Sequence, residues 1–145
     1  MRPNRPLSSK VESVSKQADT GRAIVFRYAQ KFQPELDRAK FSSRVILVWR
    51  YKSESGMPVV EERKAMDWME DELSPCVEKS GISLLALVST GENLREWTYY
   101  AQSEEAFLSA LNSALAGKPP FPIEIHVEPD ASWSMYEEFR RGVRD

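Results

Sequence analysis

His126 is the single histidine of the 145-residue chain, so any imidazole chemistry must run through it. It lies in Pro122–Glu128, where Glu124, His126 and Glu128 alternate with Ile123, Ile125 and Val127. A period of two places the polar three on one face of a strand. At a rise of about 3.3 Å per residue, i and i+2 side chains on that face stand about 7 Å apart. Two carboxylates flanking an imidazole could hold a divalent cation for metal-dependent hydrolysis, or relay a proton. The same row is what a half-buried strand shows on its wet side, here paired with Arg50 of a neighbouring strand. That simpler reading is preferred, because alternation alone produces it.

Three other groups carry possible chemistry. Cys76, the only cysteine, becomes a reactive thiol if Pro75 restarts a helix in front of it, and is otherwise a small buried residue beside Val77. Asp67, Glu70, Asp71 and Glu72 could bind a metal or a protein, against the plainer reading of a solvated helix face. The aromatic set is the strongest binding candidate: Trp49 and Tyr51 on one strand, and Trp97, Tyr99 and Tyr100 with Arg95 on another. Exposed on one sheet face, these rings would stack single-stranded RNA bases or hold a partner; covered by helices, they would be core. Arg95-Glu96-Trp97-Thr98-Tyr99-Tyr100 lacks the glycine and basic pattern of RNA-binding sheets.

Several motif classes do not occur. The sequence has no glycine-rich phosphate loop, no dinucleotide fingerprint and no His-Glu-x-x-His. Ser89-Thr90-Gly91 lacks the flanking glycines of a nucleophile elbow. One cysteine makes neither a disulfide nor a thiolate zinc cluster within the chain. No apolar run approaches the roughly 18 residues that span a bilayer. Arg2 and Arg5 have no apolar run behind them, so no secretory signal is expected. The reading is therefore of a cytoplasmic protein with no cofactor.

The net charge of −2 conceals a division. Residues 1–40 carry nine Lys/Arg against four Asp/Glu, a balance of +5, while residues 41–131 carry eight against fifteen, a balance of −7. An acidic body repels a phosphate backbone, which disfavours nucleic acid as a partner despite the basic leader.

The elements that position these groups follow from periodicity and punctuation. Residues 1–20 read as a disordered tail whose deletion leaves stability unchanged. Residues 21–145 read as a single domain. Ala23–Phe32 alternates as a half-buried strand, closed by Pro34. Arg44–Tyr51 is apolar on both faces, as a central strand should be. A helix is expected from about Pro58, at its first position, to Leu73 or Lys79. Its core stripe is Met66, Met69, Leu73 and Val77. Pro75 either kinks it or begins a second piece capped by Ser74. Ile82–Val88 and Arg95–Ala101 form a hairpin about Gly91-Glu92-Asn93. Ser103 begins a second helix carrying Phe107, Leu108, Leu111 and Leu115, stopped at Gly117. After the Pro122–Glu128 strand, Asp130 or Ser132 caps a short helix with Trp133, Met135, Tyr136 and Phe139.

Strand, helix, strand, strand, helix, strand is the split β-α-β order of a ferredoxin-like α+β sandwich, with two main helices on one face of an antiparallel sheet. It places Arg44–Tyr51 between Ile123–Val127 and Trp97–Ala101. The N-terminal strand is then expected outside Ile123–Val127, because both positions beside Arg44–Tyr51 are filled.

A set of short motifs runs along the chain in order: Gly56-Met57-Pro58, Glu61-Glu62, Met66 with Glu70-Asp71, Thr90-Gly91, and Arg95-Glu96-Trp97 with Tyr99-Tyr100. Pro122-Ile123-Glu124-Ile125 and Asp130-x-x-Trp133-x-x-Tyr136 complete it. Over residues 22–139 the chain resembles a bacterial family, domain of unknown function 695. That resemblance implies a small bacterial α/β domain with no established reaction and no catalytic residues to carry over. Members of that family are sometimes joined to a domain similar to the ribonuclease E inhibitor family, an acidic ferredoxin-like regulator, which implies a regulatory role. The expected function is thus a non-enzymatic regulatory or interaction module with a protein partner and no membrane partner. Hydrolysis at His126 and RNA binding on the aromatic strand are the alternatives, and the sequence leaves the oligomeric state open.

Overall fold

The computed structural model describes residues 11–17, 20–29, 32 and 36–143. Its elements, in chain order, are β1 (Val11–Gln17), β2 (Ala23–Ala29), β3 (Ser43–Arg50), α1 (Val60–Glu78), β4 (Ser83–Gly91), β5 (Leu94–Ala101), α2 (Glu104–Leu115), β6 (Ile123–Pro129) and α3 (Ser134–Gly142). Six strands form one antiparallel sheet in the order β1-β2-β4-β5-β3-β6. The last four, read as β4-β5-β3-β6, are the ferredoxin-like set. β3 and β4, joined through α1, run parallel with β5 between them; β5 and β6, joined through α2, run parallel with β3 between them.

Two expectations need correction. The N-terminal strand does not lie outside β6; β2 pairs with β4, from Val25 opposite Thr90 to Tyr28 opposite Leu87. The physical reason is in the strands themselves. β4 is apolar from Leu84 to Val88 and almost wholly buried, so it needs neighbours on both sides, whereas β6 keeps a wet, alternating face suited to an edge. Gly91 (φ +157°) permits the approach: a Cβ there would stand 2.9 Å from the Ala23 carbonyl oxygen. The second correction concerns the tail. Val11–Gln17 pairs antiparallel with β2 across its whole length, so part of the segment read as disordered is an edge strand. Residues 1–10 and 18–19 lie outside the described residues.

α1 and α2 cover one face of the sheet. Met66, Met69, Leu73 and Val77, the expected stripe of α1, are fully buried with Val45, Leu47, Trp97, Tyr99 and Phe107. α1 begins at Val60 rather than at Pro58, with no side-chain cap at Val59. It runs through Pro75 as one helix, and the Ser74 hydroxyl pairs with that of Tyr99 (2.6 Å) instead of capping a second piece. Ser103 caps α2 as expected, accepting from the Ala106 N–H at 3.0 Å. Glu92 and Asn93 (φ 52° and 66°) make the tight β4–β5 turn, both left-handed as a two-residue hairpin requires.

α3 covers part of the opposite face. Asp130 ties it down: its carboxylate accepts from the Ser134 N–H and hydroxyl (both 2.8 Å), the Met135 N–H (3.3 Å), the Tyr100 hydroxyl (2.8 Å) and Arg44 (3.2 Å). Trp133 takes a left-handed conformation (φ 56°) that costs a bulky residue about 1–3 kcal/mol. Stacking on Tyr100 at 4.2 Å and donation of its indole N–H to the Phe41 carbonyl (2.9 Å) offset that strain. The Arg38 guanidinium lies over the same indole at 4.8 Å, and the Tyr136 hydroxyl donates to the Ala29 carbonyl.

Burial alone would raise the Asp130 carboxyl; hydrogen bonds from Tyr100 and Ser134 outweigh it and hold it at about 2, against an ordinary 3.8. A depressed carboxyl stabilises the fold above its unfolded value, and that contribution is lost as pH falls from about 4 to about 2. Its size is on the order of 2 kcal/mol. Asp130→Asn is therefore expected to lower stability at pH 7 and to flatten the acid limb of a urea-denaturation series. Trp133→Ala should cost roughly 3–5 kcal/mol in the same assay, since the fully buried indole leaves a cavity while the left-handed backbone remains.

Candidate functional site

β2 extends the sheet beyond the edge of α1, and the step between them is an open cleft of about 570 Å³. One wall is α1, contributing Arg63, Asp67, Glu70 and Asp71; the floor is Val25 and Arg27 of β2, Val88 and Thr90 of β4, and Arg95 of β5; Met57 and Pro58, just ahead of α1, also line it. Residues 63, 67, 70 and 71 fall at helical spacing, so they stand along one edge of α1.

Glu70 is the centre of this arrangement. Its carboxylate receives both Arg27 guanidinium nitrogens, at 2.7 and 2.5 Å, and the Trp97 indole N–H at 2.8 Å. Burial would raise the Glu70 carboxyl, but the Arg27 hydrogen bonds and charge, with Trp97, hold it below the ordinary carboxylate range. In turn the Glu70 hydrogen bond raises Arg27 against the effect of its own burial. A fixed anion bound to a fixed cation is poorly suited to proton transfer and well suited to holding a surface rigid. Buried Arg95 is held in the same way, donating to the Thr90 hydroxyl (2.9 Å) and to Asp67 (3.1 Å). Arg63 and Asp71 make no ion pair among the described residues.

The residues named by the sequence sort differently. Trp49, Tyr51, Trp97, Tyr99 and Tyr100 are all buried, so their rings offer no face for stacking a base. Trp49, Trp97 and Tyr99 lie in the core beneath α1 and α2; Tyr100 lies against α3; the Tyr51 hydroxyl donates to the Gly56 carbonyl at 2.7 Å. Of that group only Arg95 lines the cleft. Glu124, His126 and Glu128 do share the exposed face of β6. Glu124 accepts from Arg50 and lies 3.3 Å from the His126 Nε2, while Glu128 accepts from Arg44 at 2.8 Å. Among the described residues no three His, Cys, Asp or Glu side chains are grouped to hold a metal ion. Cys76 is inside α1, packed against the core, and not at a helix N-terminus. Of the acidic set, Asp67, Glu70 and Asp71 face the cleft, whereas Glu72 pairs with Lys118. Arg27 and Arg63 were not singled out by the sequence. The available signal was Arg27 itself, a charge in the middle of an otherwise apolar alternating strand.

The sheet, its helices and this cleft define a ferredoxin-like α+β domain with a charged step beside its first helix. The chain belongs to the family of unknown function DUF695, whose sequence pattern matches residues 15–140. That match includes β2 and every residue lining the cleft, and it bears out the resemblance noted over residues 22–139. No curated protein matches the sequence. Among the described residues, no helix is long and apolar enough to cross a membrane.

Glu70→Ala removes the acceptor of the Trp97 indole and the counter-ion of Arg27. We expect it to cost about 2–3 kcal/mol in chemical denaturation, and Glu70→Gln, which keeps an acceptor oxygen, to cost less than half of that. Equal losses in the two variants would show that the indole hydrogen bond contributes little.

Proposed function

We propose that this protein is a non-enzymatic interaction domain of the bacterial cytoplasm that regulates another protein, and that the α1–β2 cleft is its contact surface. One observation carries the reading. The cleft displays fixed charges of both signs, with Arg27–Glu70 and Arg95–Asp67 already paired, and carries on its wall Arg63 and Asp71, which make no ion pair among the described residues. Pre-formed pairs lower the ordering cost of binding, since their side chains are held before the partner arrives. This cation and anion lie eight residues apart on α1, about 12 Å along the axis at 1.5 Å per residue. That spacing suits a polypeptide segment carrying both charges. A nucleic acid would instead bring its phosphates against Asp67, Glu70 and Asp71.

The test is a pull-down from bacterial lysate with wild type and with Arg63→Glu/Asp71→Lys, each with and without nuclease. The expected result is one protein recovered by wild type regardless of nuclease and lost with the double variant. Recovery abolished by nuclease would transfer the reading to RNA, and equal recovery by the variant would remove the cleft from it. A thermal-shift screen with divalent metals on wild type and His126→Ala addresses hydrolysis separately. Stabilisation confined to wild type would favour metal chemistry on β6.

A further inference from the structure

Strand β6 ends the sheet, and among the described residues nothing pairs with its outer edge. Along it, Ile123, Ile125 and Val127 face the α1–α2 side while Glu124, His126 and Glu128 face the other. Ile123 and Val127 are partly covered by the core, but Ile125 between them is 38% exposed. We propose that this edge pairs with the β6 edge of a second copy of the chain, antiparallel about a two-fold axis at Ile125.

The register follows from faces and charges. Residues directly opposite in an antiparallel pair share a face, so only registers that set apolar against apolar satisfy both sides. An axis at His126 gives the longest overlap but sets Glu124 opposite the partner's Glu128, a like-charge pair. An axis at Glu124 sets that carboxylate against its own copy. An axis at Val127 opposes His126 and Glu128 but brings Pro129, which has no N–H, into the ladder. An axis at Ile125 sets Ile123 against Val127, Ile125 against Ile125 and Glu124 against His126, each hetero-pair occurring twice by symmetry. The exposed isoleucine is then covered by its own copy and the two sheets continue as one. The cleft lies at the other end of the sheet, beside β2, and stays open in the pair.

Sedimentation velocity on the full chain, up to roughly 500 µM because a short edge interface is of the weak class, should show 16.6 kDa monomers giving way to particles of twice that mass and no larger. Ile125→Lys should abolish the dimer while leaving the circular dichroism spectrum unchanged. His126→Glu should weaken it about tenfold, by setting carboxylate against carboxylate at two symmetric positions. Glu124→Lys/His126→Glu should restore it. In a Cys76→Ser background, Ile125→Cys should form an intermolecular disulfide on oxidation and Val127→Cys should not, because only the former stands opposite itself. A monomer at every concentration overturns the proposal, as does a dimer indifferent to Ile125→Lys. Growth beyond the dimer overturns it in favour of pairing between β6 and the β1 edge of another copy. Cross-linking through Val127→Cys instead overturns the register.

Discussion

The Glu70 carboxylate joins three elements that the chain order alone would leave independent. It belongs to α1, its counter-ion Arg27 belongs to β2, and its third donor, Trp97, rises from β5 beneath. β2 also reaches the body through its ladder with β4 and, on the far face, through the contacts of Phe26 and Tyr28 with Phe139 and the hydrogen bond from the Tyr136 hydroxyl to the Ala29 carbonyl. On the α1 face no helix of its own covers it among the described residues. A strand left as a bare ledge would present an open apolar surface. Here Arg27 takes the place of an apolar side chain, and the ion pair fixes the distance between ledge and helix. That pairing, with Arg95–Asp67 beside it, holds the wall of the cleft to its floor.

The opposite face depends on a second carboxylate working to the same logic. Asp130 leaves β6 and immediately caps α3, while its remaining oxygen reaches Tyr100 of β5 and Arg44 of β3. Burial and the Asp130 charge push the Tyr100 phenol well above its ordinary value, so it stays a donor. The strained turn at Trp133 exists because the indole is worth more stacked on Tyr100 than the backbone loses in a left-handed residue. In both layers an acid withdrawn from solvent and saturated by donors converts a loop or an added strand into a fixed part of the body, as ionised groups removed from water must be paired to be tolerated.

How far the sequence determined the architecture can be judged from β4 and β6. Periodicity located both, and the split β-α-β order placed the four strands β4-β5-β3-β6 in their observed positions. It could not choose which free end of that sheet receives β2, because order alone leaves both ends open. Composition makes the choice: Leu84-Leu85-Ala86-Leu87-Val88 has no wet face, while Ile123-Glu124-Ile125-His126-Val127-Glu128 has one. The β4 run also carries a bulge between Leu85 and Leu87, after which Leu87 joins Leu84 and Ala86 towards the α3 side. No alternating pattern would have announced it.

The site was harder to read for a reason that applies to any two-layered sheet. Alternation assigns side chains to faces but does not say what covers each face. Trp97, Tyr99 and Tyr100 form the most prominent run in the sequence, and α1, α2 and α3 cover all three. Among the residues at the surface of the cleft are those whose charge could not be buried unpaired. Arg27 interrupts an otherwise apolar strand and Arg95 stands near the start of an aromatic-rich one, and each meets a carboxylate on the same edge of α1, Glu70 and Asp67. A lone arginine in a buried strand must find an acid or a route to solvent. Two such arginines on strands separated by one neighbour, facing acids three residues apart on one helix, specify a charged cleft more strongly than the aromatic residues specify a binding surface.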